Sequence, residues 1–246
     1  MGLTHRTEAI VLRSLRFSEA DRILHLYTAE RGRVGAIAKG ARKTKSRFGA
    51  RLEPLSHVEL MLHEGSGELQ TVTGAELIRS HRAAREDGYR LRVGLIGAEA
   101  MLRLFVEPEP NRRAFTALAR FLDALDELPA PAAGARPSLD PLALAFQLKL
   151  LWVSGYLPHL TGCVECGDAA VAGFSPRAGG AVCREHGRGS LALSAESLAG
   201  AEVLLSAPLA DAASVELSDR ARRETLAVVT SSYEEHGGFR LRTLSA

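Results

Sequence analysis

Arg31 to Arg51 reads RGRVGAIAKGARKTKSRFGAR. It opens as a strand, Arg33 to Lys39, and passes through Gly40 into a run of cations. Arg31, Arg33, Lys39, Arg42, Lys43, Lys45, Arg47 and Arg51 make eight positive charges with no Asp or Glu among them. Like charges this dense repel one another and contribute little to folding. They suit an anionic polymer, because each Lys or Arg that neutralises a phosphate releases condensed counterions. Gly32, Gly35, Gly40 and Gly49 leave the backbone bare enough to approach a phosphate closely. A solvated surface loop is the competing reading, and the charge imbalance favours nucleic acid.

Short strands flank this stretch. Ala9 to Leu12 is a β-rich run, and Asp21 to Thr28 sets Leu24 and Leu26 on one face. His57 to His63 alternates, with Val58, Leu60 and Leu62 inward and His57, Glu59, Met61 and His63 outward. Glu64 to Gly67 reads as a hairpin turn and Glu68 to Thr73 as its return strand. Five short strands, with the basic segment between the third and fourth, predict an OB-fold β-barrel over residues 1–80.

From His81 the apolar spacing becomes helical. Tyr89 to Val106 and Arg112 to Leu128 are amphipathic, separated by the helix-stopping EPEPN of residues 107–111. The small-residue and proline linker of residues 129–137 follows. Ser138 is the expected N-cap of a third helix, with Asp140 and Pro141 in its first turn. That helix is apolar nearly all round, which predicts a buried centre with Trp152 in the core. Ser194 to Leu205 and Ser218 to Glu235 return to the helical pattern. The whole reads as an α+β multidomain protein. An OB-fold domain covers residues 1–80 and an all-helical domain covers 81–158 and 191–246. A zinc-binding module is inserted at residues 159–190.

The module carries Cys163-Val-Glu-Cys166 and Cys183-Arg-Glu-His186, separated by 16 residues. Each knuckle offers two ligands from one tight turn, the spacing of a structural, tetrahedral Zn2+ site with one ion per chain. His159 is a competing ligand, less favoured because His186 completes the second knuckle. The segment has only Val164, Val171, Phe174 and Val182 as larger apolar residues, so a metal is expected to hold it together. Arg177, Arg184 and Arg188 form a second, smaller basic group there.

Composition sets outer limits. Apolar residues make up 46% and charged residues 24%, as in a soluble globular protein. The net charge of +2 hides an uneven spread. Residues 1–80 hold 13 Lys and Arg against 9 Asp and Glu, and the remainder 18 against 20. No apolar run spans a membrane, the N-terminus lacks a signal-peptide core, and three cysteines fit a reducing cytoplasm. Three catalytic motifs are approached and missed. Gly35 to Gly40 begins like a P-loop, but Ala41-Arg42 stands where Lys-Ser/Thr is needed. His57-Val-Glu59 resembles part of a deaminase motif without its cysteines nearby. Ser66 sits in a hairpin, not at a nucleophile elbow. The expectation is a non-enzymatic, zinc-containing nucleic-acid binder. Aromatics in the barrel are limited to Phe17, Tyr27 and Phe48, so phosphate contact should dominate over base stacking.

The run DRILHLYTAERGRVGAIAKGARKTKSRFGARLEPLSHVELML resembles the N-terminal signature of the bacterial recombination-repair RecO family. The carrying features are a Thr-x-x-x-Gly turn, an A-K-G-A-R-K-x-K-S block and a later L-x-P. The Cys-rich module after G-Y-x-P also fits, although many family members carry Cys where this chain has His186. Other members lack the metal ligands, which implies a structural role for zinc. The resemblance implies an OB-fold, a helical domain and a zinc module. It implies binding of single- and double-stranded DNA, strand annealing, and partnership with RecR. It also implies help to RecA against single-strand-binding protein, in the cytoplasm at the nucleoid. Carried over by position, Lys39, Arg42, Lys43, Lys45, Arg47 and Arg51 would contact DNA. An RNA-binding or ribosome-associated protein is the alternative, since only contact with the 2′-hydroxyl separates RNA from DNA.

Overall fold

The computed structural model describes residues 2–244. The chain divides into two compact units, Met1–Glu127 and Leu128–Ala246.

The first unit begins with five strands: β1 (Thr4–Phe17), β2 (Asp21–Thr28), β3 (Gly32–Ala38), β4 (His57–His63) and β5 (Gln70–Arg79). The first is much longer than Ala9 to Leu12, because it serves two neighbours. Thr4 to Ile10 pairs with β4, and Ala9 to Phe17 pairs with β2. A register shift between Val11 and Arg13 bends the strand between those tasks, as a β-bulge does. The order β1-β2-β3-β5-β4 leads back to β1. Closure rests on one parallel seam of two residue pairs, Ala36 with Gln70 and Ile37 with Thr71. Beyond Thr71, β5 pairs with β4 alone. The result is a mixed, OB-like sheet curled on itself, not a barrel sealed along its length as the strand pattern led one to expect. The return strand starts at Gln70, two residues later than expected, and runs on to Arg79.

The alternation of β2, β3 and β4 fills the interior. Leu24, Leu26, Val34, Ala36, Val58, Leu60 and Leu62 join one buried cluster. His57 departs from its expected outer position in water. It does point away from that cluster, yet it is buried. The ring of Phe115 covers it with centroids 5.7 Å apart, and its Nε2 lies 2.7 Å from Glu8 Oε1. Phe115 belongs to α3 (Arg112–Asp126), which follows α1 (Arg82–Glu86) and α2 (Gly88–Leu104). Asp87 caps α2 by accepting from the Tyr89 and Arg90 N–H groups, and Asn111 caps α3 by accepting from Ala114.

In the second unit, α4 (Pro141–Val153) is the buried centre that its composition predicts, for every residue from Pro141 to Leu148 is buried. Its cap is Asp140, whose carboxylate accepts from the Leu142 N–H at 2.9 Å, and not Ser138. Ser138 lies in a preceding single 3₁₀ turn, Pro137–Leu139. Pro141 fits the first helical position, having no N–H to leave orphaned, and that places the cap one residue before it. Trp152 also departs from expectation, at 55% exposed near the end of the helix. The helices α5 (Ala195–Ser206) and α6 (Asp219–Gly237) pack on α4, capped by Ser194 and Ser218. Between α4 and α5 lies a small sheet of β6 (Val171–Ser175), β7 (Gly180–Cys183) and β8 (Leu191–Ala192), in the order β7-β6-β8. Phe174 anchors it by packing with Leu193 and with Val228 of α6. Among the described residues no helix is long and apolar enough to cross a membrane.

Candidate nucleic-acid interface and metal centre

The segment between β3 and β4 is an ordered excursion with apolar anchors. Phe48 and Leu52, 1% and 2% exposed, enter the same buried cluster as the strands. At its start, Gly40 takes a φ of +69°, which favours glycine, and its N–H donates to Asp21 Oδ1 at 2.8 Å. The Arg42 N–H donates to the Ala20 carbonyl at 2.8 Å, and the Leu55 N–H to the Val11 carbonyl at 2.8 Å. With the apolar residues turned in, the charged ones are left outside. Lys39, Arg42, Lys43, Lys45, Arg47 and Arg51 are all exposed.

The bonds that steady these side chains leave their charge intact. Arg42 Nη1 donates to the Glu19 carbonyl at 2.9 Å. Arg51 Nη1 donates to the Arg47 and Phe48 carbonyls at 2.9 and 3.2 Å. The Arg47 guanidinium sits 4.9 Å from the centre of the Phe48 ring. Among the described residues none of the six forms an ion pair. Nearby carboxylates are already engaged: Glu53 takes both Nη atoms of Arg22 at 3.2 and 2.9 Å, and Asp21 holds Gly40. The result is a fixed arc of positive charge.

Arg31 and Arg33 are placed elsewhere. They lie at the start of β3, separated from Lys39 by a seven-residue strand of about 20 Å. Arg31 is ion-paired with Glu64, and Arg33 Nη1 donates to the Leu102 carbonyl at 3.4 Å. Linear proximity in the sequence concealed both the distance and the Glu64 partner. Of the three barrel aromatics, Tyr27 and Phe48 are buried and only Phe17 faces water, at 45% exposed. Burial pushes the Tyr27 hydroxyl up to about 12.

In the second unit, Cys163, Cys166, Cys183 and His186 converge, with all ligand atoms within 4.8 Å of one another. Cys166 Sγ and Cys183 Sγ lie 3.8 Å apart. His186 Nδ1 lies 3.7 Å from Cys163 Sγ and 3.2 Å from Cys183 Sγ. Zn–S bonds of about 2.3 Å and Zn–N bonds of about 2.0 Å imply tetrahedral edges of about 3.8 Å for S···S and 3.5 Å for S···N. The four atoms therefore already stand near the corners of a zinc tetrahedron. Local backbone geometry sets each knuckle. The Gly167 N–H donates to the Cys163 carbonyl and the Cys163 N–H to the Asp168 carbonyl, both at 2.8 Å, with Gly167 at a φ of +79°. The Cys183 N–H helps hold the Cys163 thiol down at about 6, the state a metal ligand needs. Bonds to the Cys183 and Cys163 sulfurs push His186 up. His159 stands outside the four. Its backbone pairs with the β7 edge, and its Nε2 is 3.2 Å from Thr161 Oγ1.

Family comparison covers both units. A model described as recombination protein O N terminal matches residues 1–81, and one described as recombination protein O C terminal matches residues 85–245. The chain belongs to the RecO family. A DNA repair protein RecO from Rubrobacter xylanophilus is 45% identical over 184 residues, 74% of this chain and 71% of that one. A RecO from Anaeromyxobacter sp. is 36% identical over 239 residues, covering 94% and 91%. One from Frankia casuarinae is 39% identical over 250 residues, covering 98% and 96%. Membership of RecO supports a role in DNA recombination and repair.

Proposed function

We propose that the chain is a non-enzymatic mediator of recombinational repair. It binds single- and double-stranded DNA through the arc from Lys39 to Arg51 and anneals complementary strands. The single observation that carries this reading is the set of six exposed cations, each held by neutral groups or by none, on a loop pinned by Phe48 and Leu52. A protein without ATPase machinery can anneal only by lowering repulsion between two polyanions, and bound cations do that. Partnership with RecR, RecA and single-strand-binding protein belongs to the same proposal and rests on RecO family membership. So does the functional division into a DNA-binding domain over 1–80, a helical domain over 81–158 and 191–246, and a module over 159–190. In the module, Cys163, Cys166, Cys183 and His186 would hold one zinc ion. With four protein ligands its chemistry would be a cross-link, not catalysis.

The test reverses three charges, Arg42→Glu, Lys43→Glu and Lys45→Glu. The variant is expected to keep its melting temperature and lose most affinity for both duplex and single strands in fluorescence anisotropy. A parallel variant, Arg177→Glu with Arg184→Glu and Arg188→Glu, should lose less; a larger loss there would move the interface to the module. Wild-type affinity should fall with a log–log salt slope of about −3 to −4 on single strands if four to six phosphates are engaged. Competition between matched DNA and RNA oligomers separates this reading from an RNA-binding one.

A further inference from the structure

Next to the cationic arc, the outer face of the curled sheet carries a row of aliphatic side chains. The register aligns Leu15 of β1 with Ile23 of β2, and Ile23 with Ile37 of β3. Their neighbours in sequence, Leu24, Ala36 and Ala38, fill the interior. Alternation therefore turns Leu15, Ile23 and Ile37 outward, where each is half-buried. Phe17 stands on the same face two residues beyond Leu15 and is 45% exposed. Leu69 adds to the row. The space that a Cβ on Gly35 would take is filled by the Leu69 side chain, whose Cδ2 would lie 2.8 Å away.

Cations border the row on both sides. Arg13, exposed, pairs in register with His25 on one flank. Lys39 follows Ile37 by two residues on the other. Arg42 reaches the β1–β2 turn beside Phe17 through the Glu19 carbonyl. An apolar strip edged by phosphate-binding charges is what an unpaired nucleic-acid strand presents in reverse: flat base faces flanked by phosphates. A duplex hides those faces in its stack and offers phosphates alone.

We infer that the Leu15–Ile23–Ile37 row, extended by Phe17, is a base-packing platform that distinguishes single strands from duplex, while the Lys39–Arg51 arc holds the phosphates of either. The inference rests on the reading of that arc as the nucleic-acid interface. Aliphatic packing has no base-specific hydrogen bonds, so the platform tolerates any sequence. It adds affinity that salt does not screen. A docked protein strand is the alternative occupant, disfavoured because the cations on both borders are set for an anionic backbone.

The experiment compares a fluorescent oligothymidylate with a hairpin duplex, each titrated with the full chain at two salt concentrations. The variant Ile23→Ser with Ile37→Ser should weaken the single strand about tenfold, in the range of losing one base contact, and leave the duplex within twofold. Its salt slope should match the wild type. Ile37→Phe enlarges the platform and should tighten the single strand alone, a gain that misfolding cannot mimic. Equal loss on both probes, or unchanged single-strand binding in both variants, overturns the inference. If the row variants change only self-association, the face is a protein contact and the inference is likewise overturned. The arc variant separates the two readings: if it binds both probes normally, the phosphate assignment fails, whatever the row variants do.

Discussion

His57 was expected on an outer strand face, and it does point outward, but under Phe115 and against Glu8. Its titration is therefore tied to folding. Burial is the largest cause that lowers His57, and it also lowers His5 and His25, the latter helped by Arg33 and Arg13. A histidine whose folded pKa lies below its unfolded value of about 6.5 binds fewer protons folded than unfolded. The stability it supports is complete above that value and declines as pH falls through it. The expected outcome is a urea midpoint that drops between pH 7.5 and pH 5.5. The drop should persist in Cys183→Ser, which lacks the intact four-ligand set and so removes metal loss as its cause. A midpoint that is flat, or that rises toward acid, would contradict the assignment.

At the scale of one element, the β3–β4 segment separates charge from anchorage. Its cations face water while Phe48 and Leu52 reach the core. Truncating a buried Phe typically costs about 3–5 kcal/mol. Phe48→Ala should therefore lower thermal stability and also remove the ring beneath Arg47. Because all six cations remain, DNA affinity should fall by less than in the charge-reversed variant, with an unchanged salt slope. Calorimetry and anisotropy on the same preparation check both halves. Loss of affinity as severe as charge reversal would mean that loop order, more than charge, sets binding. The run of charge in the sequence revealed the cations but not this anchorage, since Phe48 among seven nearby cations and glycines read as one more exposed loop residue.

On the scale of the whole molecule, the cationic arc lies in the first unit and the Cys/His cluster in the second. The proposed functions of charge and metal should therefore be separable. Protein purified without added metal is expected to contain about one equivalent of zinc. Removing it with a strong chelator should release thiols and lower the melting temperature, because the module has little besides Phe174 to bury and structural zinc contributes on the order of 10 kcal/mol to such modules. Oligonucleotide affinity should stay within about twofold. Substoichiometric metal in protein whose thiols titrate freely would refute the zinc assignment. A large loss of DNA binding on chelation would instead place part of the interface on the module.

The periodic elements and the chemically distinctive spacings were legible in the sequence alone. Strict alternation marked β2 and β4 to their printed ends, Asp21–Thr28 and His57–His63. Two knuckles in register singled out four metal ligands, because knuckle geometry is local and a four-residue spacing encodes it. Family membership followed from the basic block and the module together. What alternation could not show is which second layer covers a strand's outer face, so His57 needed α3 to explain its burial. Nor could an all-apolar helix reveal that one of its side chains, Trp152, would stay uncovered near its end. The separation of Arg31 and Arg33 from the other six cations likewise depended on β3 being extended, since an extended strand carries neighbours in sequence far apart in space. The same extension, repeated in register across three strands, created the Leu15–Ile23–Ile37 row from residues that no linear motif connects.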